Sequence, residues 1–319
     1  MLVSVVVLTY NSADTISRTL DSIIDQAVIY GDQVEIIIGD DYSTDNTRNI
    51  LLDYSQKYPN LINLVFNEKN LGVVNNYFNL MSRCSGKYIM ECAGDDYWLP
   101  DKMNIQIEYM EEHSDVGMCC GKVIKYYEDI EKYSVPSIYE GLTVDFDSLL
   151  YSNSIFAVTV CIRRDVVIEY ISSVNPLSKN WIMEDYPMWL WISQNRLIHV
   201  LNRCFSVYRI RMESISHPNN LQKELLFLEN TTSIREFYSR NEADKEIIRT
   251  IQLNYESELY LKYYEKKDYR KTLKKCNSNK SRIKFALSII PGYFKILNSI
   301  RLSKNHEVLY DDITLLKDN

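Results

Sequence analysis

The sequence predicts an α/β fold in which helices flank a mainly parallel sheet, followed by a helical C-terminal appendage. Short apolar segments rich in β-branched residues alternate with amphipathic segments through the first hundred residues. This alternation is typical of βαβ units, whose strands run parallel and whose crossovers are right-handed. Near residue 219 it gives way to helical periodicity. We therefore expect an α/β domain over 1–218, with halves at 1–100 and 101–218, and a helical region over 219–319.

The expected strands are the continuous apolar runs, a pattern typical of strands that are buried on both faces. They lie at 2–9, 34–39, 61–66, 88–92, 116–125, 156–162, 197–201 and 205–210. Helices are expected between the first four strands, where apolar residues recur at helical spacing, as at Ile16, Leu20, Ile23, Ile24 and Ala27. The segment 126–144 lacks periodicity and is predicted to be a loop. Later helices are predicted at 221–238, 242–264 and 268–276.

Composition narrows the classes of protein to which the chain can belong. The net charge of −7 argues against a general nucleic-acid binder, which would carry a basic face. The seven cysteines include no CxxC spacing, so neither a zinc site nor a disulfide framework is indicated, and a cytoplasmic location is expected. The apolar N-terminus has no basic segment before it and is predicted to be a core strand, not a signal peptide. No apolar run reaches the ~18 residues of a membrane span.

Two pairs of adjacent carboxylates, Asp40-Asp41 and Asp95-Asp96, directly follow predicted strands. Ligands of parallel sheets sit at the carboxyl ends of the strands, so both pairs are expected to face one crevice. Two like charges ~4 Å apart near a protein surface repel by roughly 4 kcal/mol, which favours a bound cation. Carboxylate oxygens suit magnesium or manganese held together with substrate phosphates. The alternative is a solvated turn, because Gly, Asp and Pro are common turn residues.

The C-terminal region has a basic and aromatic composition that differs from the rest of the chain. Between Arg270 and Lys304 the sequence has ten basic residues and no acidic one, and its apolar and aromatic residues are interleaved with lysines. This composition is typical of a helix at an anionic membrane surface, so we expect peripheral membrane contact through 280–304. The alternative is a helical appendage that packs on its own domain or on a second subunit.

Five segments together resemble one family, the family 2 glycosyltransferases. These enzymes have the A-type nucleotide-diphospho-sugar transferase fold, which is Rossmann-like, and the resemblance is to members that build bacterial surface polysaccharides. The segments are VSVVVLTYNSADTISRTLDSI (3–23), VEIIIGDDYSTDNT (34–47), NEKNLGVVNNYF (67–78), KYIMECAGDDYWLPDKM (87–103) and MEDYPMWLW (183–191). Their order matches the order in the family. The C-terminal hundred residues are left unexplained.

The resemblance implies a set of site residues. Asp95 corresponds to the metal-binding carboxylate of the family's Asp-x-Asp motif, for Mn²⁺ or Mg²⁺, and Asp185 corresponds to the catalytic base. Glu184 and Trp181 would lie on the acceptor side. The residues expected to contact the donor nucleotide or its sugar and diphosphate are Thr9, Tyr10, Asn11, Asp40, Asp41, Asn70, Gly72, Asp96, Arg209 and Arg211.

The reaction that the resemblance implies is an inverting transfer to an acceptor hydroxyl. The donor would be a nucleotide-diphospho-sugar, by default a UDP-sugar, and the acceptor a glycan or a lipid-linked sugar. The product would belong to capsule, O-antigen or other surface-polysaccharide synthesis. The location expected is the cytoplasm, with peripheral contact at the inner face of the membrane.

The sequence departs from the family pattern at two places. Ala93 occupies the first position of the Asp-x-Asp motif, and Tyr208-Arg209-Ile210-Arg211 replaces a Tyr-Arg-x-His segment, with His217 the nearest histidine. A non-catalytic nucleotide- or sugar-binding protein with a decayed site is therefore the alternative, and Asp185 is the residue that such a binder would not need. A nicotinamide-dependent oxidoreductase is disfavoured because no GxGxxG follows the first strand.

Overall fold

The computed structural model describes residues 1–134, 144–211, 220–263 and 309–310. These residues form two compact units. The first contains 1–126 and 144–209, and the second contains 127–134, 210–211, 220–263 and 309–310. The boundary predicted at 218/219 lies among residues outside the described ranges, so that boundary stays a prediction.

A four-stranded parallel block lies at the centre of the first unit. Its order is β3-β2-β1-β4, formed by β1 (Val3–Thr9), β2 (Val34–Asp40), β3 (Ile62–Phe66) and β4 (Tyr88–Ala93). Thr9 of β1 pairs with Asp40 of β2, and Leu8 pairs with Ala93 of β4. The carboxyl ends of these three strands are therefore level. This confirms the prediction that the two aspartate pairs share one edge of the sheet.

Beyond β4 the sheet is antiparallel. The additional strands of the first unit are β5 (Tyr97–Trp98), β6 (Val116–Tyr127), β8 (Cys161–Arg163) and β9 (Leu197–Ile210). β8 pairs with both β4 and β6, and β9 pairs with β5 and β6. The predicted parallel arrangement therefore describes the first hundred residues, and the second half of the unit adds antiparallel strands.

Seven helices of the first unit flank this sheet within the described ranges. They are α1 (Ile16–Ala27), α2 (Thr47–Lys57), α3 (Val73–Met81), α4 (Lys102–Glu112), α5 (Phe146–Tyr151), α6 (Arg164–Val174) and α7 (Asp185–Asn195). The apolar stripe predicted for α1 is buried in the core. α3 lies close to β2 because Gly39 has no side chain: a Cβ there would lie 2.7 Å from both Asn76 Oδ1 and Leu80 Cδ1.

Four predicted elements were wrong in detail. The strand predicted at 156–162 is a short 3₁₀ turn, Ala157–Thr159, followed by β8, because side chains of α4 take its carbonyl oxygens. Gln106 Nε2 donates to Thr159 O at 2.8 Å, and Lys102 Nζ donates to Val160 O at 3.1 Å. The two strands predicted at 197–201 and 205–210 are one continuous strand, since β5 and β6 pair along it. The predicted loop at 126–144 begins instead with the end of β6.

The second unit contains β7 (Lys132–Ser134), which also lies in the predicted loop, and β10 (Leu309–Tyr310), with which β7 pairs antiparallel. Its helices α8 (Leu221–Tyr238) and α9 (Glu242–Lys262) pack together and confirm the first two predicted C-terminal helices. Asn220 and Asn241 cap them. The helix predicted at 268–276, the segment 280–304 and His217 lie outside the described residues. Among the described residues, no helix combines the length and the apolar character needed to cross a bilayer.

Arg163 ties the end of α4 to the sheet. Its guanidinium donates to three carbonyl oxygens: Val116 O at 2.8 Å, Met110 O at 2.6 Å and His113 O at 2.8 Å. We expect Arg163→Ala to lower the free energy of unfolding by about 3 kcal/mol, because carbonyls at a helix end would lose a charged donor. Urea denaturation measures this change. The exposed Arg83→Ala is the control and should change stability by less than about 0.5 kcal/mol; equal effects of the two substitutions would contradict this role.

Candidate active site

A polar stripe along α1 holds the backbone that carries Asp95 and Asp96. We call the four side chains Thr15, Thr19, Ser22 and Gln26 the polar stripe. Thr15 Oγ1 donates to Gly94 O at 2.8 Å, and Thr19 Oγ1 donates to Asp96 O at 2.6 Å. Ser22 Oγ accepts from Trp98 N at 3.0 Å. Gln26 donates to Leu99 O at 3.0 Å and accepts from Met103 N at 2.9 Å.

The polar stripe was not predicted from the sequence. Its members are spaced four, three and four residues apart, which places them on one face of a helix. Thr19 is fully buried, and Thr15 and Gln26 are buried as well. Helical spacing of Thr, Ser and Gln beside an apolar stripe was the signal that could have revealed it. The hydrogen bonds from the polar stripe pair the backbone N–H and C=O groups of the segment that follows β4. Buried backbone groups need such partners.

Arg209 of β9 holds the same turn from the other side. Its backbone N–H donates to Asp96 Oδ1 at 2.8 Å, and its Nε donates to Asp95 O at 3.1 Å. Asp96 is buried, whereas Asp95 is only half-buried. Of the two carboxylates, Asp95 is therefore the one more open to a ligand. The contact expected between Arg209 and a diphosphate stays a prediction, and the contacts seen here are with the turn.

Asp40 lies inside the protein and its carboxylate has protein partners. It is fully buried, and its Oδ2 accepts from Arg48 Nε at 2.6 Å and from Ser43 N at 3.0 Å. Arg48 also donates to Asn67 O at 2.7 Å and lies over the ring of Phe66. These contacts fix the segment after β2. The predicted role of Asp40 in donor binding stays a prediction.

Asp41 gathers the loop between β3 and α3. Its carboxylate accepts from Leu71 N at 2.7 Å, from Gly72 N at 2.9 Å and from Asn67 Nδ2 at 3.0 Å. Asn70 Nδ2 donates to the main-chain oxygen of Asp41 at 3.2 Å. Gly72 has a φ of 79°, in the region that favours glycine. The structure therefore brings Asp41, Asn70 and Gly72 together, and their role in donor binding stays a prediction.

The residues that follow β1 join this group. Thr9 O accepts from Asp41 N at 2.9 Å, and the buried Thr9 Oγ1 has no hydrogen-bond partner among the described residues. A Cβ on Gly94 would lie 2.8 Å from that hydroxyl, so the glycine lets the turn after β4 approach it. Asn11 Oδ1 accepts from Thr44 N at 2.8 Å, and the ring of Tyr10 is exposed. An exposed ring here is suited to stacking against a base.

Asp185 is the first residue of α7 and follows Glu184. Its Oδ1 accepts from Tyr186 N at 2.6 Å. Burial raises the pKa of Asp185, and the hydrogen bond from Tyr186 N opposes the rise. Burial and then the charge of Asp185 raise the pKa of Glu184 to about 8.

A further acidic residue, Glu91, lies within β4. It is buried, and the hydroxyl of Tyr77 on α3 donates to it at 2.5 Å. Burial is the largest cause that raises the pKa of Glu91 to about 8, and the charge of Asp185 adds to it. The sequence analysis missed Glu91; a glutamate inside an apolar strand was the available signal for it.

The remaining predicted residues lie apart from these contacts or have other roles. Trp181 is half-buried ahead of α7, whereas Trp189 and Trp191 of that helix are buried in the core. Arg211 belongs to the second unit and forms an ion pair with Glu128 at 3.2 Å. The acceptor-side role of Trp181 and the donor role of Arg211 stay predictions.

The residues present fit a divalent cation that is bound together with a diphosphate. The described part of the chain contains no group of three or more His, Cys, Asp or Glu side chains arranged to hold a metal. It does offer the half-buried carboxylate of Asp95 in a turn fixed from two sides. Mg²⁺ is commonly bound by one or two carboxylates, with phosphates and waters supplying the other ligands.

Comparison with known proteins identifies the family. The model of "Glycosyl transferase family 2" matches residues 4–170, which is more than half of the chain. The chain belongs to glycosyltransferase family 2. The match includes β1 to β4, and thus the turn that carries Asp95 and Asp96.

Several relatives are similar to this family 2 chain over about two thirds of its length. An uncharacterised protein of Mycobacterium tuberculosis is 31% identical over 216 residues, which are 67% of this chain and 60% of that relative's length. TuaG of Bacillus subtilis, named as a teichuronic acid biosynthesis glycosyltransferase, is 31% identical over 67% of this chain and 81% of its own. WfgD of Escherichia coli, named as a β-1,3-glucosyltransferase, is 30% identical over 70% of this chain and 82% of its own. This chain therefore spans less than two thirds of the mycobacterial relative.

Solved structures share the fold. The structure of Staphylococcus aureus TarS 1–349 in complex with UDP-GlcNAc superposes with a TM-score of 0.61 at 16% identity, covering 93% of this chain and 84% of that one. The mannosyltransferase PcManGT of Pyrobaculum calidifontis, in complex with GDP-Man and Mn²⁺, gives a TM-score of 0.59 at 13% identity, covering 92% and 82%. The predicted A-type glycosyltransferase fold is confirmed.

The bond from Thr19 to Asp96 O can be tested by removing one hydroxyl. We expect Thr19→Val to lower the free energy of unfolding by about 1–2 kcal/mol, because the substitution preserves shape but leaves a buried carbonyl unpaired. Urea denaturation measures the change. Thr19→Ser keeps the hydroxyl and is the matched control, so a loss of stability in the serine variant as large as in the valine variant would argue for packing instead of the hydrogen bond.

Proposed function

We propose that this chain is an inverting glycosyltransferase that moves a sugar from a nucleotide-diphospho-sugar to an acceptor hydroxyl. One observation carries the proposal: the turn that bears the half-buried carboxylate of Asp95 is fixed at the carboxyl end of β4, by Thr19 of α1 and by Arg209 of β9. A carboxylate suited to a metal therefore lies at the edge of the sheet where Asp41 holds the loop after β3. Membership of glycosyltransferase family 2 supports the same reaction.

The donor nucleotide would lie at the carboxyl ends of β1 and β2. Asp41 holds Asn70 and Gly72 there, and Tyr10 offers an exposed ring beside them. The donor residues of this proposal are Thr9, Tyr10, Asn11, Asp41, Asn70 and Gly72, with Asp40 supporting them through Arg48. We propose a UDP-sugar as donor, in line with the UDP-GlcNAc complex of TarS.

Asp95 would hold Mn²⁺ or Mg²⁺ together with the donor diphosphate, and PcManGT, which has the same fold, is described in complex with Mn²⁺. Such a cation neutralises the charge that develops on the departing diphosphate. Asp96 and Arg209 keep the turn in place through the hydrogen bonds that join them. The main chain that carries the Asp95 carboxylate is therefore fixed by hydrogen bonds, and a fixed position favours productive binding.

In the transfer step the acceptor hydroxyl gives its proton to Asp185 as its oxygen attacks the anomeric carbon. The bond between that carbon and the diphosphate oxygen breaks, and its electron pair stays with the diphosphate. Attack on the face opposite the leaving group inverts the configuration. Burial raises the pKa of Asp185, which strengthens it as a base. Glu184 and Trp181 would line the acceptor side.

The acceptor we propose is a lipid-linked sugar or a growing surface polysaccharide. The printed name of WfgD describes transfer to a diphosphoundecaprenol-linked GlcNAc, and that of TuaG refers to teichuronic acid. An acceptor of this kind lies at a membrane, and the basic segment 280–304 has the composition to reach an anionic surface. We therefore propose that the protein acts in the cytoplasm, at the inner face of the membrane.

Removal of residues 280–319 tests the membrane contact. The full chain should sediment with vesicles that contain anionic lipid, and the truncated chain should stay in the supernatant, because about 1 kcal/mol of attraction is lost per basic residue near the surface. Neutral vesicles are the control. An unchanged affinity of the truncated chain for anionic vesicles would overturn the proposal.

The proposed glycosyltransferase activity is tested with a panel of UDP-, GDP- and dTDP-sugars, with and without manganese. Release of the nucleoside diphosphate is measured. We expect Asp185→Asn to reduce transfer by about 100-fold to 10,000-fold, because the general base is lost, while nucleotide binding stays near normal. Asp95→Asn should remove the stimulation by manganese.

The control for this panel is Asp53→Asn, since Asp53 is exposed on α2. That variant should behave as the unmodified chain does. If no sugar nucleotide is bound or hydrolysed, and Asp95→Asn changes nothing, the proposed function is wrong. Retained transfer by Asp185→Asn would reassign the base alone.

A further inference from the structure

Tyr42 follows Asp41, just beyond the end of β2, and has a backbone conformation that tyrosine rarely adopts. Its φ is 68°, in the left-handed region that favours glycine. A bulky residue in this region is an outlier, and such residues cluster at ligand-binding sites, where the surrounding structure holds them in place. The side chain of Tyr42 is therefore expected to have a use that offsets the strain of its backbone.

Two hydrogen bonds place Tyr42 beside Tyr10, because they join the segment after β1 to the segment after β2. They run from Asp41 N to Thr9 O at 2.9 Å and from Asn11 N to Ser43 Oγ at 2.8 Å. In each segment the tyrosine lies between the two bonded residues. Tyr10 and Tyr42 are therefore neighbours at the edge of the sheet where the donor nucleotide would lie.

The rings of Tyr10 and Tyr42 are exposed, although they lie next to buried residues. Tyr10 is 50% exposed and Tyr42 is 46% exposed, whereas Thr9 and Asp41 are buried. Two aromatic rings in water at one edge of the sheet forgo the free energy that their burial would supply. A flat ligand that covers them would recover it, and the base of a nucleotide is such a group.

Arg48 holds the ring of Tyr42 in place. Its guanidinium carbon lies 5.4 Å from the centroid of that ring and 5.1 Å from the centroid of Phe66, within the range of cation–π attraction. Arg48 is itself fixed, since it donates to the carboxylate of Asp40 and to Asn67 O. A ring that is held before a ligand arrives loses little conformational freedom on binding, which favours affinity.

We propose that Tyr42 is a nucleotide-binding residue whose ring, together with that of Tyr10, packs against the base of the donor. The inference rests on the proposed function, which puts the donor nucleotide at the carboxyl ends of β1 and β2. It adds a residue that the sequence analysis did not include among those expected to contact the donor. Every base has a π-face, so Tyr42 would strengthen binding of the nucleoside without selecting one base.

The experiment is titration calorimetry of Tyr42→Leu, Tyr42→Phe and the unmodified chain with UDP, GDP and dTDP, in the presence of magnesium. Leucine keeps the bulk and loses the π-face, so the Kd of the nucleoside diphosphate that the unmodified chain binds most tightly should rise about 5-fold to 100-fold. Phenylalanine keeps the ring and should leave this Kd close to that of the unmodified chain. An unchanged Kd in the leucine variant, or an equal loss in both variants, would overturn the inference.

Tyr42→Gly separates binding from folding. Glycine adopts a φ of 68° without strain, so the midpoint of urea unfolding should stay equal or rise, while the Kd rises as it does in the leucine variant. A tyrosine that serves only to pack against Arg48 would give the opposite result. A lower midpoint with an unchanged Kd would therefore count against the inference.

Inorganic pyrophosphate with magnesium carries no base, and a Kd that rises for it as much as for the nucleoside diphosphate would also contradict the role of the ring. Tyr255→Leu on α9 is the matched control, because Tyr255 is 46% exposed as well, and it should leave every Kd unchanged. If the unmodified chain binds none of the three nucleoside diphosphates, the proposed function has failed. If it binds one and Tyr42→Leu binds it equally well, only this inference has failed.

Discussion

The backbone of residues 94–103 leaves the sheet at the end of β4, and its hydrogen bonds to the polar stripe of α1 are the constraint on which the site depends. The same helix buries its apolar stripe against the sheet. One face of α1 therefore packs on the strands, and its other face forms hydrogen bonds with the turn after β4. Since Thr15 and Thr19 contact Gly94 O and Asp96 O directly, the position of Asp95 follows from how α1 packs.

Electrostatics impose a second constraint. Three carboxyl groups interact around the start of α7, and three adjacent buried negative charges would cost far more free energy than one. Burial raises the pKa of all three groups, and the charge of Asp185 adds to the rise for both glutamates, which reach about 8. Asp185 accepts a hydrogen bond from Tyr186 N, which opposes the rise in its own pKa.

The parallel half of the fold and the convergence of Asp41 with Asp95 could be predicted from sequence, because buried strands have a strong apolar pattern and strand ends meet at one edge. The segment 156–162 could not be predicted. Its backbone bonds go to Gln106 and Lys102, which are distant in sequence, and no local pattern reveals such partners. The contact of Asp40 with Arg48 could not be predicted either, because it is seen only in the folded structure.

Ala93 stands at the first position of the Asp-x-Asp motif, so one carboxylate is missing beside Asp95. Side chains alternate along a strand, so Glu91 and Ala93 of β4 share one face. The acidic residue on that face is Glu91, which lies two residues before the first position of the Asp-x-Asp motif. Glu91 accepts a hydrogen bond from Tyr77, and the charge of Asp185 contributes to its raised pKa. A single half-buried carboxylate binds Mg²⁺ weakly by itself, because the ion needs phosphates and waters as its remaining ligands. Cation and donor should therefore stabilise each other's binding, since coupling between two ligands is reciprocal.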